Sequence, residues 1–154
     1  MGKSKIEWCD RTWNPITGCP GPLVSPGCVN CYARRTAETR LRGRCGYDAT
    51  DPFKITFHPD RLKEPAGWRK PQRIFVGSMG DVFHKDALYR DIDLVLSVAA
   101  LTPRHTYMFL TKRPDLLWNL NQWVNNVLAL SSYKSTSEIM GSDLYRKWLD
   151  DMLG

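Results

Sequence analysis

Two short apolar runs do most to limit how this chain can fold. Ile74-Phe75-Val76 is continuous rather than alternating and stops at Gly77, and His105–Leu110 (HTYMFL) is a second run of the same kind. A strand that is apolar on both faces belongs inside a parallel sheet covered on both sides. Between the runs, Asp86 is placed to cap a helix whose Leu88, Ile92, Val95, Leu96 and Ala99 form one apolar face, ending near Pro103. Upstream, Thr12–Thr17 reads as a first strand. Tyr32–Arg42 reads as a helix with Ala33, Ala37 and Leu41 on one side and Gly43 as its stop. A short strand is expected at Lys54–Phe57 within an otherwise irregular stretch. Beyond Pro114, Leu116, Leu117, Leu120, Trp123, Val124, Val127 and Leu128 keep a helical period. A polar loop at Ser131–Ser137 and a last helix from Ser142 follow. Strands alternating with helices predict βα units. The expected fold is α/β, a partial parallel, barrel-like sheet with a helical C-terminus. Residues 1–118 would form the βα region, with 119–154 a helical segment packed on the same domain.

Composition narrows the class. At 154 residues the chain is long enough to bury a core without staples, and 42% hydrophobic with 25% charged residues excludes a disordered tail. No apolar run approaches the ~20 residues of a membrane helix. The start, MGKSKIEW, lacks a secretory signal, so a cytoplasmic protein with no membrane partner is expected. Lysine and arginine number 22 against 16 acids, a net charge of +6. That surplus permits a polyanionic partner, a nucleic acid or nucleotide, although the bases are scattered rather than gathered in one arm.

The chemistry gathers at the cysteines. There are five, all within the first 45 residues, and an odd number cannot pair fully in disulfides. Clustered cysteines without a secretion signal favour metal ligation. Pro15, Pro20, Pro22 and Pro26 forbid a helix here, which leaves Cys19, Cys28 and Cys31 on a loop between the first strand and the first helix. Cys28 and Cys31 form a C-x2-C pair that can place two thiolates on one metal or cluster. Three thiolates leave one position open, as chemistry on a bound substrate requires. Two readings stand: an iron–sulfur cluster, or a structural zinc completed by Cys9, Cys45 or a histidine. Buried free cysteines are the bland alternative.

Beyond the cysteines, Gly77-Ser78-Met79-Gly80-Asp81 ends a strand at the side where parallel sheets bind ligands. Its glycines allow a close backbone approach, and Asp81 could pair with an ammonium group. A plain strand-to-helix turn would read the same way. Lys112 and Arg113 end the next strand on the same rim, either as receivers of a carboxylate or phosphate or as a solvated basic turn. His84 is a candidate proton donor or ligand, or simply a hydrogen-bonded histidine. His58 reads as part of a turn, and Trp8 and Trp13 as packing under the cysteine loop.

Taken together, IEWCDRTWNPITGC, SPGCVNCYA, HPDRL, RIFVGSMGDVFH and HTYMFLTKRP resemble, over residues 5–118, a phage- and prophage-associated protein family similar to radical S-adenosylmethionine (SAM) enzymes. The resemblance implies that Cys19, Cys28 and Cys31 hold a [4Fe–4S] cluster whose open iron binds SAM. An electron from the cluster would then cleave SAM to methionine and a 5′-deoxyadenosyl radical, which abstracts a hydrogen from substrate. It implies SAM contacts at Tyr32, Ser78, Met79, Gly80 and Asp81, and a substrate rim of His84, Lys112 and Arg113. The C-x8-C-x2-C spacing departs from the usual C-x3-C-x2-C, and Tyr32 follows the third cysteine where an aromatic often precedes it. The family continues well past TKRP with further strand–helix units, so this chain reads as shortened. An open sheet edge invites a second copy or another chain to complete it. The alternatives are a zinc-stabilised, non-catalytic module that contacts nucleic acid or a host protein, and a metal-free remnant.

Overall fold

The computed structural model of the chain describes residues 4, 6–21 and 23–114. All but the last of these belong to one compact unit, Met1–Arg113. The helices expected beyond Pro114 and the loop at Ser131–Ser137 lie outside the described residues.

The two apolar runs do become neighbouring parallel strands. β1 (Arg11–Trp13), β2 (Ile16–Thr17), β3 (Thr56–Phe57), β4 (Arg73–Val76) and β5 (Thr106–Phe109) form two sheets. The larger is parallel with order β1-β4-β5, pairing Trp13 with Val76 and Val76 with Phe109. The fold is therefore mixed α/β around a small parallel sheet, which does not close into a barrel among the described residues.

The expected strand at Thr12–Thr17 is instead broken in two. Pro15 has no amide proton to give to a ladder, so β1 ends before it and the chain after it leaves the parallel sheet. That second piece, β2, pairs antiparallel with β3, Ile16 opposite Phe57. β3 itself is shorter than the expected Lys54–Phe57. The carbonyl of Pro15 is not wasted: it accepts the His58 amide at 2.7 Å.

Helix α1 (Tyr32–Thr36) runs on through a wider π turn at Ala37–Leu41. Its Ala33 and Ala37 are buried against Tyr47 and Phe53, as the four-residue spacing predicts. Helix α2 (Tyr89–Leu101) buries Leu94, Val95 and Val98, but it starts three residues after Asp86, with Leu88 at its cap. Asp86 is drawn into a turn instead, because its amide donates to His84 Nδ1 at 3.1 Å.

Trp13, fully buried, ties the layers together. Its indole donates to the Arg61 carbonyl at 2.8 Å, and its ring lies 5.8 Å from that of Tyr107. Arg61 is also buried and donates to the carbonyls of Asn14 at 3.0 Å and Cys45 at 2.6 Å, bracing the long β1–β4 connection. Among the described residues no helix is long and apolar enough to cross a membrane.

Candidate functional site

The C-terminal ends of the strands converge on one rim. Asn14, buried just after β1, accepts a hydrogen bond from the Ser78 hydroxyl at 3.1 Å and from the Met79 amide at 2.9 Å. The end of β2 crosses the same segment backbone to backbone. The Gly18 amide donates to Met79 O at 3.0 Å, and the Asp81 amide donates to Gly18 O at 3.3 Å. This crossing leaves no room for side chains. A Cβ on Gly80 would stand 2.5 Å from Gly18 O, and Gly18 itself has a φ of +91°. Gly80 of the GSMGD segment thus serves a chain crossing that also positions the loop, whereas Gly77, at a φ of +77°, makes the turn after β4.

Asp81 is buried and heavily engaged. Its carboxylate accepts from the Thr111 hydroxyl at 2.8 and 3.0 Å, from the Lys112 amide at 3.3 Å and from the Phe83 amide at 3.1 Å. The Arg113 guanidinium lies 3.9 Å away. A carboxylate so occupied anchors the loop after β5 to the loop after β4.

The cysteine loop closes over this rim. Cys19 and Cys31 pack with Met79 against the Ala33, Ala37, Tyr47 and Phe53 cluster, so the thiol-bearing loop and the GSMGD segment share one support. Cys28 ends a 3-10 turn that begins at Pro26, and Cys31 caps α1, its carbonyl accepting the Arg35 amide at 3.1 Å. Lys112 Nζ donates to Ser25 Oγ at 2.6 Å and lies 3.7 Å from Cys28 Sγ, with Ser25 Oγ itself 3.5 Å from that sulfur. Arg113 Nη2 lies 3.7 Å from Cys19 Sγ, and Arg34 Nη2 donates to the Cys19 carbonyl at 3.2 Å. The Ser25 hydroxyl, neighbouring backbone amides and the Lys112 ammonium together bring the Cys28 thiol down to about 7. Burial pushes the Cys19 thiol up, with Arg113 opposing it.

Tyr32 donates its phenol proton to the Ser78 carbonyl at 2.5 Å, joining α1 to the GSMGD segment. His84 stands behind the rim. It is 1% exposed, and because Nδ1 accepts the Asp86 amide, Nε2 carries the proton and donates to Pro20 O at 3.1 Å. Burial lowers its pKa, so it is a neutral strut beneath the cysteine loop. Cys9 is buried with its thiol 3.3 Å from Ser4 Oγ, and Cys45 is exposed at a φ of +52°. His58 forms the expected turn, 2.8 Å from Thr17 Oγ1. Trp8 leans on Phe75, and Trp13 sits in the core.

The structure therefore gathers Cys19, Cys28, Lys112 and Arg113 by direct contact and ties Tyr32, Ser78, Met79 and Asp81 to the same rim. Among the described residues no three His, Cys, Asp or Glu side chains surround one point as a single metal ion requires. A cluster, by contrast, takes each thiolate on a separate iron, and soft thiols beside cations suit such a negatively charged group. Sequence reasoning missed Asn14, Ser25 and Arg34. Asn14 stands before the strand-breaking Pro15 and Ser25 before Pro26, which is the local signal each offered.

No curated protein and no solved structure matches the chain. A family model described as a protein of unknown function, DUF5131, matches residues 3–147 and so takes in both the parallel sheet and the cysteine loop; the chain belongs to that family.

Proposed function

We propose that this chain is a radical-SAM-like iron–sulfur protein, with Cys19, Cys28 and Cys31 as ligands of a [4Fe–4S] cluster and SAM bound beside it on a barrel-like βα sheet. The observation that carries the reading is the meeting of the cysteine loop with the C-terminal rim of a parallel sheet, where two of its thiols each face a cation. When bound, the cluster supplies the electron for reductive cleavage of SAM. The chain's own residues hold and enclose. Tyr32 and Asn14 fix the backbone of Ser78 and Met79, where SAM contact is assigned, and the Gly18–Gly80 crossing braces the same segment from the end of β2. Asp81 belongs to the same contact region but acts through Thr111 and Lys112, which it holds in place. His84 supports the cysteine loop from below. The charge of +6 favours an anionic substrate such as a nucleic-acid component.

Anaerobic purification and reconstitution test this. The expected product is a brown protein carrying iron and sulfide that yields 5′-deoxyadenosine from SAM on reduction, with iron lost in Cys28→Ala. A colourless protein with one zinc per chain, or iron content unchanged by Cys28→Ala, would defeat the reading.

A further inference from the structure

The sequence offers Lys112 and Arg113 as receivers of a ligand's carboxylate or phosphate, but their side chains point elsewhere. Asp81 takes the Thr111 hydroxyl and the Lys112 amide, and the Arg113 amide in turn donates to Thr111 Oγ1 at 3.0 Å. The turn at Thr111–Arg113 is thereby fixed at its backbone, leaving two cationic arms to reach across to the cysteine loop. The Lys112 arm passes over Gly27, where a Cβ would stand 3.3 Å from Nζ, and reaches both Ser25 Oγ and Cys28 Sγ. The Arg113 arm, half-buried, ends on Cys19 Sγ. One short turn thus places a positive charge on two different thiols that lie nine residues apart in sequence.

We propose that the Asp81-anchored turn Thr111–Arg113 is a cationic clamp on the cysteine loop, in which Lys112 positions Cys28 and Arg113 positions Cys19 as cluster ligands. The proposal deepens the functional reading above and rests on it for the identity of the bound group. The clamp has two consequences. It holds the loop closed before any cluster arrives, and it offsets the negative charge that thiolate ligands and a reduced cluster accumulate. Lys112 and Arg113 are positioning residues, and Asp81 positions them in turn.

The test uses the full chain and the variants Lys112→Gln and Arg113→Gln, with Lys112→Arg and Arg113→Lys as charge-keeping partners. In the metal-free chain, hydrogen exchange over residues 19–31 should quicken in the Gln variants and return toward wild type in the conservative ones. In the reconstituted protein, the Gln variants should lose iron to a chelator at about 10- to 100-fold lower concentration, the usual cost of removing a ligand's supporting partner. Their cluster potential should move downward, since a cation that stabilises the reduced state is gone, and the conservative variants should restore it. Wild-type exchange, iron retention and potential in both Gln variants would overturn the clamp. So would a change confined to SAM affinity, which would return the two cations to the carboxylate role. If the wild-type chain takes up no cluster, the functional reading fails on its own. The exchange measurement then decides the clamp: quickened exchange keeps it as a device that orders the loop, and unchanged exchange removes it.

Discussion

Gly80→Ala is the perturbation that best probes how the rim is built. A methyl at this position would stand 2.5 Å from Gly18 O, 2.7 Å from Gly18 N and 3.0 Å from Thr17 C, all backbone atoms that cannot rotate away. Forcing such a contact apart costs about 1–3 kcal/mol as overpacking. The same displacement strains the two hydrogen bonds of the crossing, Gly18 N to Met79 O and Asp81 N to Gly18 O, at about 1 kcal/mol each. The sum is about 3–5 kcal/mol, which for a chain of this size lowers the melting temperature by about 10 °C. Gly21→Ala is the matched control, because nothing lies within 4 Å of a Cβ there. It should change stability by less than about 0.5 kcal/mol. Thermal unfolding followed by circular dichroism reads both. If Gly80→Ala melts within about 2 °C of wild type, as Gly21→Ala should, then the two segments do not cross as described and the rim is not built around them.

Three further outcomes follow from single residues. Burial, reinforced by Arg61, lowers the His58 pKa to about 4, against about 6.5 for an unfolded histidine. The unfolded state therefore binds the extra proton, and stability should fall as pH drops from about 6.5 toward 4, with a slope approaching 1.4 kcal/mol per unit that His58→Gln removes; urea melts with identical slopes for both proteins would contradict this. Asn14→Ala strands the Ser78 hydroxyl and the Met79 amide and should cost about 2–3 kcal/mol in denaturant unfolding, whereas an unchanged midpoint would mean those donors have other partners. In the metal-free chain, alkylation of Cys28 should rise through a midpoint near pH 7 while Cys19 reacts only at higher pH, and mass mapping that finds Cys19 the faster of the two would refute the charge arrangement.

Some of what depends on neighbours in sequence was legible, although α2 buries Leu94, Val95 and Val98 rather than the face of Leu88, Ile92, Val95, Leu96 and Ala99 that periodicity offered. Ile74–Val76 and the run from His105 became paired strands, and Ala33 and Ala37 became the buried face of α1 and the π turn that continues it. What escaped depends on contacts made far along the chain. Pro15 marked a possible end to β1, but the departure to β3 required a partner some forty residues away. The Asp86 cap failed because its amide closes a turn on His84 and its carboxylate takes the Lys85 ammonium, so the helix starts only at Tyr89, a competition no periodicity records. At the site, spacing singled out Cys19, Cys28 and Cys31 as candidate ligands. The role of Asp81 did not, because its partners lie 30 and 31 residues downstream. The reach of Lys112 to Ser25 spans 87 residues, so a motif of four letters, TKRP, could not say which group its cations serve.

Cys19, Cys28 and Cys31 are proposed to hold a cluster with one iron left open to SAM. Electron paramagnetic resonance of the reduced, reconstituted protein, recorded with and without SAM, addresses it directly. The expected result is an iron–sulfur signal, absent in Cys19→Ala and Cys31→Ala, whose shape changes when SAM is added. A reconstituted protein with no such signal, or one whose signal SAM leaves untouched, would contradict it.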